Sequence, residues 1–232
     1  MPVSVNFKNI STKFKNISTK KEIGPLPKND FGDNVKSIKN IAIPKVIHHF
    51  WQGDINGINQ HINNLENVAK KNPSYKIKLH LLPNNAKDCK LLQSKMNNVQ
   101  VKDLNKEKWF SKFKKTERFQ QFEASRNGER KHLASGADII KSELLVNKGG
   151  VWNDVDNPPL APLPKDLSVS ENGILTAGPV AFKQMWGGDN GFHSSTLATH
   201  KNNESLKVAN KASLEKFKEL RDVIYQANEQ TK

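Results

Sequence analysis

The most constraining feature of the sequence is a strand–helix–strand pattern between Pro44 and Leu82. The β-branched and aromatic run that follows Pro44 and ends at Trp51 is typical of a buried strand. Apolar residues at helical spacing over 55–71 indicate a helix, and the alternating segment Tyr75–Leu82 predicts a second strand. Such a βαβ unit implies parallel strands joined by a right-handed crossover. We therefore expect an α/β fold.

The rest of the chain continues to alternate between the two patterns. The predicted elements are a helix over 87–96, a strand over 99–104, a polar and aromatic, partly exposed helical segment over 107–130, a helix over 134–147, a strand at 151–152, a strand and turn over 173–182, and helices over 194–200 and 204–227. Gly149 and Gly150 follow one of these helices, as is typical of helix C-termini. Because no hairpin signal joins the strands, we expect an open, mostly parallel sheet flanked by helices.

The N-terminal part of the chain differs from this pattern. The segment Phe7–Lys13 is repeated immediately at Phe14–Lys20, and the residues that follow are rich in glycine, proline and lysine. Such composition is typical of a flexible segment. We therefore divide the chain into a flexible basic tail over 1–40 and a folded domain over 41–232.

The chain is strongly basic, with 37 Lys and Arg residues against 23 Asp and Glu residues and a net charge of +14. This charge favours contact with polyanions. Arginine, the side chain preferred for bidentate phosphate and guanine contacts, is present only as Arg118, Arg126, Arg130 and Arg221. We therefore expect no specific nucleic-acid binding, and we expect any anionic membrane contact to involve the tail. The alternative class of function is a non-catalytic, lysine-rich module that binds nucleic acid or anionic membranes.

Few histidine or cysteine residues suggest chemistry. Cys89 is the only cysteine, which excludes an intramolecular disulfide, and it lies among polar residues. His48 and His49 are neighbours in a predicted strand, so their side chains point to opposite faces and cannot bind one metal ion together. We interpret Cys89 and His48 as structural.

Two carboxylates provide the clearest chemical signal. Asp154 and Asp156 directly follow the predicted strand at 151–152, where α/β sheets bind ligands. Carboxylate oxygens are suited to Mg²⁺ or Mn²⁺, which proteins often hold through one or two carboxylates and the phosphates of a substrate. Aspartates at this spacing are also common in ordinary turns. The pair alone leaves both interpretations open.

The sequence around these carboxylates resembles a known family. The segment Ala134–Asp156 is similar to the signature of GT-A glycosyltransferases of the large clostridial glucosylating toxin type and of related "DXD sugar-binding" transferases. The segment Ile43–Gly53 resembles the opening strand of that family, and Thr196–Leu206 is a weaker third match. The positions that match the signature are Asp138, Leu145, Gly149, Gly150, Asp154 and Asp156.

The resemblance implies a role for each site residue. Trp51 would stack on the uracil of a UDP-sugar, although a core tryptophan is the alternative. Asp138 and Lys141 would hold the hydroxyl groups of the donor sugar; the family has arginine at the second position, and an exposed ion pair is the alternative. Asp156 would bind Mn²⁺ or Mg²⁺ directly, and Asp154 would reach the ribose and, through water, the metal. Asp138, Lys141, Asp154 and Asp156 form the predicted catalytic set.

The resemblance also implies an activity and a setting. We expect metal-dependent transfer of a sugar from a nucleotide-sugar donor to a protein side chain, plausibly of a host, or to a glycan. The protein would be a secreted or injected bacterial effector or a domain of a larger toxin, and otherwise cytoplasmic.

The sequence also departs from the family pattern elsewhere. Trp152 replaces a tyrosine, and the late acidic and tryptophan-containing loop of toxin-type members is missing. Either the domain is C-terminally incomplete, or it is a minimal relative, or residues such as Asp189, Asn190 or His193 supply the remaining metal ligands.

Overall fold

The structure is a computed structural model that describes residues 39–127, 132–157, 161–177, 179–180, 191–192 and 194–229. The strands are β1 (Asn40–Ala42), β2 (Val46–Gln52), β3 (Lys76–Leu82), β4 (Val99–Asp103), β5 (Gly150–Asn153), β6 (Ser168–Ser170), β7 (Leu175–Thr176), β8 (Pro179–Val180), β9 (Gly191–Phe192) and β10 (Thr196–Thr199). The helices are α1 (Ile55–Ile58), α2 (Ile62–Lys71), α3 (Asp88–Gln93), α4 (Lys108–Phe113), α5 (Glu117–Asn127), α6 (Leu133–Lys148) and α7 (Glu204–Glu229).

The central sheet contains six strands in the order β4-β3-β2-β5-β10-β7. Strands β4, β3, β2 and β5 are parallel to one another, whereas β10 runs antiparallel to both of its neighbours, β5 and β7. Two small antiparallel pairs, β1 with β6 and β8 with β9, lie outside this sheet. The α/β class and the mostly parallel sheet flanked by helices are therefore confirmed.

The sheet separates two hydrophobic clusters. Alternate side chains of β2 point to opposite faces, so Ile47 belongs to one cluster and Phe50 to the other. The first cluster includes Leu65 of α2, and the second includes Ile140 of α6. Strands β2 and β5 are thus covered on both faces, as expected for the centre of a parallel sheet. The carboxyl ends of these two strands remain available to form a ligand-binding site.

Local signals explain the element boundaries near the site. The Asp54 side chain caps α1 by accepting a 2.9 Å hydrogen bond from the backbone N–H of Asn56. The predicted helix over 55–71 is divided by a 3₁₀ turn at Asn59–His61. Helix α6 ends at Gly149, which has a φ of +65°, and a Cβ atom there would lie 2.6 Å from the backbone nitrogen of Lys201.

One predicted helix, over 194–200, is wrong. Thr196–Thr199 forms strand β10, which pairs with β5 and with β7. The two threonines are β-branched and suit a strand, and the partners that stabilise it are distant in sequence. A short segment of this kind fits either pattern until its neighbours are known.

The segment over 107–130 is also more buried than expected. It contains the helices α4 and α5, and its aromatic residues form a tight group with ring centroids 5.5–6.4 Å apart. Trp109, Phe110, Phe113 and Phe122 are all buried. Burial of this cluster against α6 outweighs the polar character of the segment as a whole.

Some predictions fall on residues outside the described ranges. These are the substitute metal ligands Asp189, Asn190 and His193, and nearly all of the tail over 1–40. The division at residue 40 stays a prediction. Within the described ranges, no helix is long and apolar enough to cross a membrane.

Candidate functional site

The fold brings three distant segments to one edge of the central sheet. Strands β2 and β5 are parallel neighbours, so their carboxyl ends open at the same edge. The first half of α6 lies beside them, and together these segments line a cavity of about 700 Å³. Among the predicted site residues, Trp51, Asp138, Asp154 and Asp156 line the cavity. Residues that are far apart in sequence are therefore gathered at one site.

Trp51 forms a fixed aromatic wall of this cavity. Its indole N–H donates a 3.0 Å hydrogen bond to the backbone oxygen of Asp54, which restrains the ring. Gly57 lies against the ring, because a Cβ atom there would be 2.8 Å from Cζ2 of Trp51. His61 lines the same cavity, and its ring centroid is 5.8 Å from that of Trp51 at an angle of 51°. Neither Gly57 nor His61 is among the site residues predicted from the sequence.

Trp51 combines features of the two interpretations left open. It is half-buried and packs against the hydrophobic cluster on its face of the sheet, yet it also lines the cavity. Its restrained ring could stack on a planar ligand. Stacking on a nucleobase stays a prediction.

Lys141 lies behind the carboxylates, with a side chain only 3% exposed. Its Nζ atom donates to Oδ1 of Asp138 over 2.6 Å and to the backbone oxygen of Ser194 over 2.8 Å. The same Nζ atom is 3.8 Å from Oδ1 of Asp154 and 5.7 Å from the ring centroid of Trp152. Lys141 therefore contacts Asp138, Asp154 and the backbone just before β10. Because its side chain is buried, its pair with Asp138 is not the exposed ion pair considered as an alternative.

The surroundings of Asp154 have opposing effects on the pKa of its carboxyl group. Burial raises the pKa of this carboxyl group, and the charge of Lys141 and the indole N–H of Trp152 oppose that rise. The indole donates to Oδ1 of Asp154 over 2.6 Å. One carboxylate oxygen is thus committed to Trp152 and lies close to Lys141, which leaves Oδ2 as the oxygen to offer to a ligand.

Asp156, like Asp138, is an exposed carboxylate of the site. It lies in the turn that follows β5, between Val155, which is buried in the core, and Asn157, whose side chain is hydrogen-bonded to its surroundings. The turn is fixed while this side chain faces the cavity. This arrangement suits a ligand for a metal ion, because a positioned carboxylate needs little reorganisation to bind.

A metal site built entirely from protein side chains is not found in the described residues, since none of their His, Cys, Asp and Glu side chains cluster in threes around a common point. The donors present are the carboxylates of Asp154 and Asp156. Hard oxygen donors of this number suit Mg²⁺ or Mn²⁺ bound jointly with substrate phosphates. The residues therefore fit such an ion only together with a phosphorylated ligand.

His48 and His80 are buried and do not line this cavity. Nδ1 of His48 is 2.9 Å from Nε2 of His80, and Nε2 of His48 is 3.1 Å from the backbone oxygen of Gly149. Because a carbonyl oxygen only accepts, His48 donates from Nε2 and accepts at Nδ1 from His80. This pairing agrees with the structural role expected for His48.

Comparisons with known proteins agree with the fold. No protein-family profile matches the sequence. The solved structure described as "PaToxG Glycosyltransferase" superimposes with a TM-score of 0.67 and 24% identity, covering 78% of this chain and 63% of that one. The chain has the fold of a toxin glycosyltransferase domain. The resemblance expected from the sequence is confirmed at this level.

Two further proteins resemble the chain, one in structure and one in sequence. The UDP-bound glycosyltransferase domain from the YGT toxin matches with a TM-score of 0.58 and 12% identity, over 80% of this chain and 64% of that one. A curated "Toxin" from Photorhabdus asymbiotica is 30% identical over 139 residues, which are 58% of this chain and 4% of that protein. The chain thus spans less than two thirds of each solved domain and a small part of the curated toxin. Residue roles in the site stay predictions.

Proposed function

We propose that this chain is a glycosyltransferase that moves a sugar from a nucleotide-sugar donor, with a UDP-sugar as the first choice, to a protein or glycan acceptor. The observation that carries the proposal is the single cavity that holds both Trp51 and the Asp154–Asp156 pair at the ends of β2 and β5. An aromatic wall can stack on the base of a nucleoside diphosphate, and two carboxylates can hold the divalent cation that binds its phosphates. The shared toxin glycosyltransferase fold supports this choice.

Trp51 would bind the base. Its ring is held by the hydrogen bond to Asp54 and by contact with Gly57, so stacking would cost little side-chain freedom. Stacking alone is tolerant of base identity, because every base has a flat face. Uridine as the base is therefore supported by the UDP-bound YGT toxin domain and not by Trp51 alone.

Asp154 and Asp156 would hold Mn²⁺ or Mg²⁺. Asp138, Asp154 and Asp156 place three carboxylates on the cavity, and Lys141 is the cation buried against two of them. A divalent cation would offset the carboxylate charge that Lys141 leaves uncompensated. A negatively charged diphosphate could then bind beside these carboxylates. When bound, such an ion stabilises the charge that develops on a departing diphosphate.

Asp138 and Lys141 would act at the sugar end. Asp138 is 61% exposed, so its carboxylate can accept hydrogen bonds from sugar hydroxyl groups. Lys141 would fix the direction of that carboxylate through the 2.6 Å contact of its Nζ atom. In the reaction, the bond from the anomeric carbon to the diphosphate oxygen breaks, a bond to an acceptor oxygen forms, and the acceptor proton passes to the departing diphosphate or to solvent.

The setting we propose is that of a bacterial toxin or effector. It rests on the toxin context of the two solved domains and of the curated relative from Photorhabdus asymbiotica. Delivery by secretion or injection and action on a host molecule follow from that context. The acceptor would be a protein side chain or a glycan.

Donor hydrolysis tests the activity without knowledge of the acceptor. The purified chain is incubated with a panel of UDP- and GDP-sugars and Mn²⁺, and release of the nucleotide is measured. We expect release from at least one UDP-sugar, and we expect the Asp156→Asn variant to lose it. Absence of release from every donor, together with tight binding to DNA or anionic vesicles that weakens steeply with salt, would support the polyanion-binding alternative.

A further inference from the structure

We propose that Asn64 of α2 and Asn157 are positioning residues that hold the Asp154–Asn157 turn in the geometry needed to bind a divalent cation through Asp156. The inference rests on the proposed function, because it concerns the metal expected at that carboxylate. Neither asparagine is part of the resemblance to the toxin family described above. Their role follows from the hydrogen bonds that surround the turn.

Asn64 connects the turn to a helix that is distant in sequence. Its side-chain Nδ2 donates to the backbone oxygen of Val155 over 3.0 Å and also to the backbone oxygen of Asn157. These two carbonyls flank Asp156 on either side. One amide group on a packed helix therefore restrains the backbone on both sides of the proposed ligand.

Asn157 anchors the same turn to the sheet. Its Nδ2 donates to Oδ1 of Asn153 over 2.9 Å and to the backbone oxygen of Ser195 over 3.1 Å. Oδ1 of Asn153 also accepts from the hydroxyl of Thr196 over 3.0 Å. The turn is thus connected to the strand before it, β5, and to the start of β10.

Asp154 and Val155 are held in place as well. The backbone N–H of Asp154 donates to the backbone oxygen of Ser195 over 2.9 Å, and the Val155 side chain is buried in the core. Within the described ranges, the Asp156 carboxylate has no hydrogen bond or ion pair to protein. The backbone of the turn is thus restrained from three sides, whereas this carboxylate faces solvent. Such an arrangement suits the binding of an external ligand.

The physical effect is preorganisation. A ligand side chain on a mobile turn loses conformational freedom when it binds a cation, whereas a restrained one loses less. Groups that orient metal ligands typically change metal affinity by about 10- to 100-fold when they are removed. We therefore expect Asn64→Ala to weaken metal binding by about tenfold, while base binding at Trp51 is unchanged.

The experiment measures two affinities for each variant. The affinity of Mn²⁺ for the protein saturated with UDP is obtained from the electron paramagnetic resonance signal of free Mn²⁺. The affinity of UDP alone is obtained by calorimetry in EDTA. Asn63→Ala is the matched control, because Asn63 is the exposed neighbour on the same helix and the substitution is identical. It should change both affinities by no more than about twofold.

The outcomes separate the inference from the proposed function. Loss of Mn²⁺ affinity in Asn64→Ala, with unchanged UDP affinity in EDTA, supports the positioning role. Equal loss of both affinities indicates a general structural defect and overturns it, as does unchanged Mn²⁺ affinity. If Asn64→Ala does not fold, Asn157→Ser removes the second anchor and is judged by the same criteria. A wild-type UDP complex that binds no Mn²⁺ overturns the proposed function itself.

Discussion

The indole N–H of Trp152 donates a 2.6 Å hydrogen bond to Oδ1 of Asp154. The toxin family has tyrosine where this chain has Trp152. Here the indole is buried and therefore held rigidly. Its hydrogen bond occupies Oδ1 of Asp154, which leaves Oδ2 to bind a ligand. The proposed metal site therefore depends on a residue that itself binds no metal.

Replacing Trp152 with phenylalanine should raise the pKa of Asp154 further, because the indole hydrogen bond favours the charged carboxylate. Mn²⁺-dependent UDP binding should then be lost at a higher pH than in the wild-type protein as the solution is acidified. The comparison is a series of UDP titrations with Mn²⁺ from about pH 7.5 to pH 5. Coincident pH profiles for the two proteins would show that the indole does not tune Asp154.

Replacing Lys141 with methionine should lower the free energy of unfolding by about 2 kcal/mol, because it leaves the carboxylates of Asp138 and Asp154 without their buried cation. Urea unfolding measures the change. Lys207→Met is the matched control, since Lys207 forms an exposed i,i+3 pair with Glu204 and should contribute less than about 0.5 kcal/mol. Equal effects of the two substitutions would contradict the buried role of Lys141.

Replacing Trp51 with alanine should weaken UDP binding by about 1–3 kcal/mol, the usual range for stacking of a base on an aromatic ring. Trp109 provides a contrast, because it is 5% exposed and packs within the aromatic cluster of the core. Trp109→Ala should reduce stability and leave UDP binding by the folded fraction unchanged. Calorimetry and thermal unfolding on both variants separate the effects. A Trp51 variant that loses stability but keeps UDP affinity would favour a core role.

Acid should destabilise the fold through its buried histidines. Burial lowers the pKa of His48 to about 3 and that of His49 to about 4. Burial also lowers the pKa of His80, and the neighbouring His48 and Lys78 add to that effect. In the unfolded chain the pKa of each of these groups is about 6.5, so below that pH the unfolded state takes up protons that the folded state does not bind.

Stability should therefore fall from about pH 6.5 downward, by up to about 1.4 kcal/mol per pH unit for each of these histidines. Urea unfolding at a series of pH values measures the slope. His49→Leu should reduce this slope, because it removes one of the buried histidines. Equal stability at about pH 7.5 and pH 5 would contradict the neutral, buried state of these side chains.

The sequence was most informative where a signal is local. The βαβ unit over 44–82 and the glycine end of α6 are determined by periodicity and backbone preference, and both are present. The carboxylate pair was also placed correctly at a strand end. Its surroundings were not predicted, because the contact between Asn64 and Val155 joins residues 91 positions apart. No local pattern marks an asparagine for such a role.

The remaining incorrect predictions concern segments whose structure depends on tertiary contacts. Strand β10 was predicted as a helix, because its stabilising partners, β5 and β7, are distant in sequence. Trp109 and its aromatic neighbours were expected to be partly exposed, because the lysines between them dominate the local composition. Their burial depends on α6, which lies later in the chain.

The most direct test of the central claim is calorimetric titration of UDP into the wild-type protein and into Asp156→Asn, each with Mn²⁺ and with EDTA. We expect Mn²⁺ to tighten UDP binding to the wild-type protein by about tenfold or more, because the ion would be shared between the carboxylates and the diphosphate. Asp156→Asn should retain the affinity measured in EDTA and lose the gain. UDP binding that is absent, or that is equally strong with and without Mn²⁺ in the wild-type protein, would contradict the account.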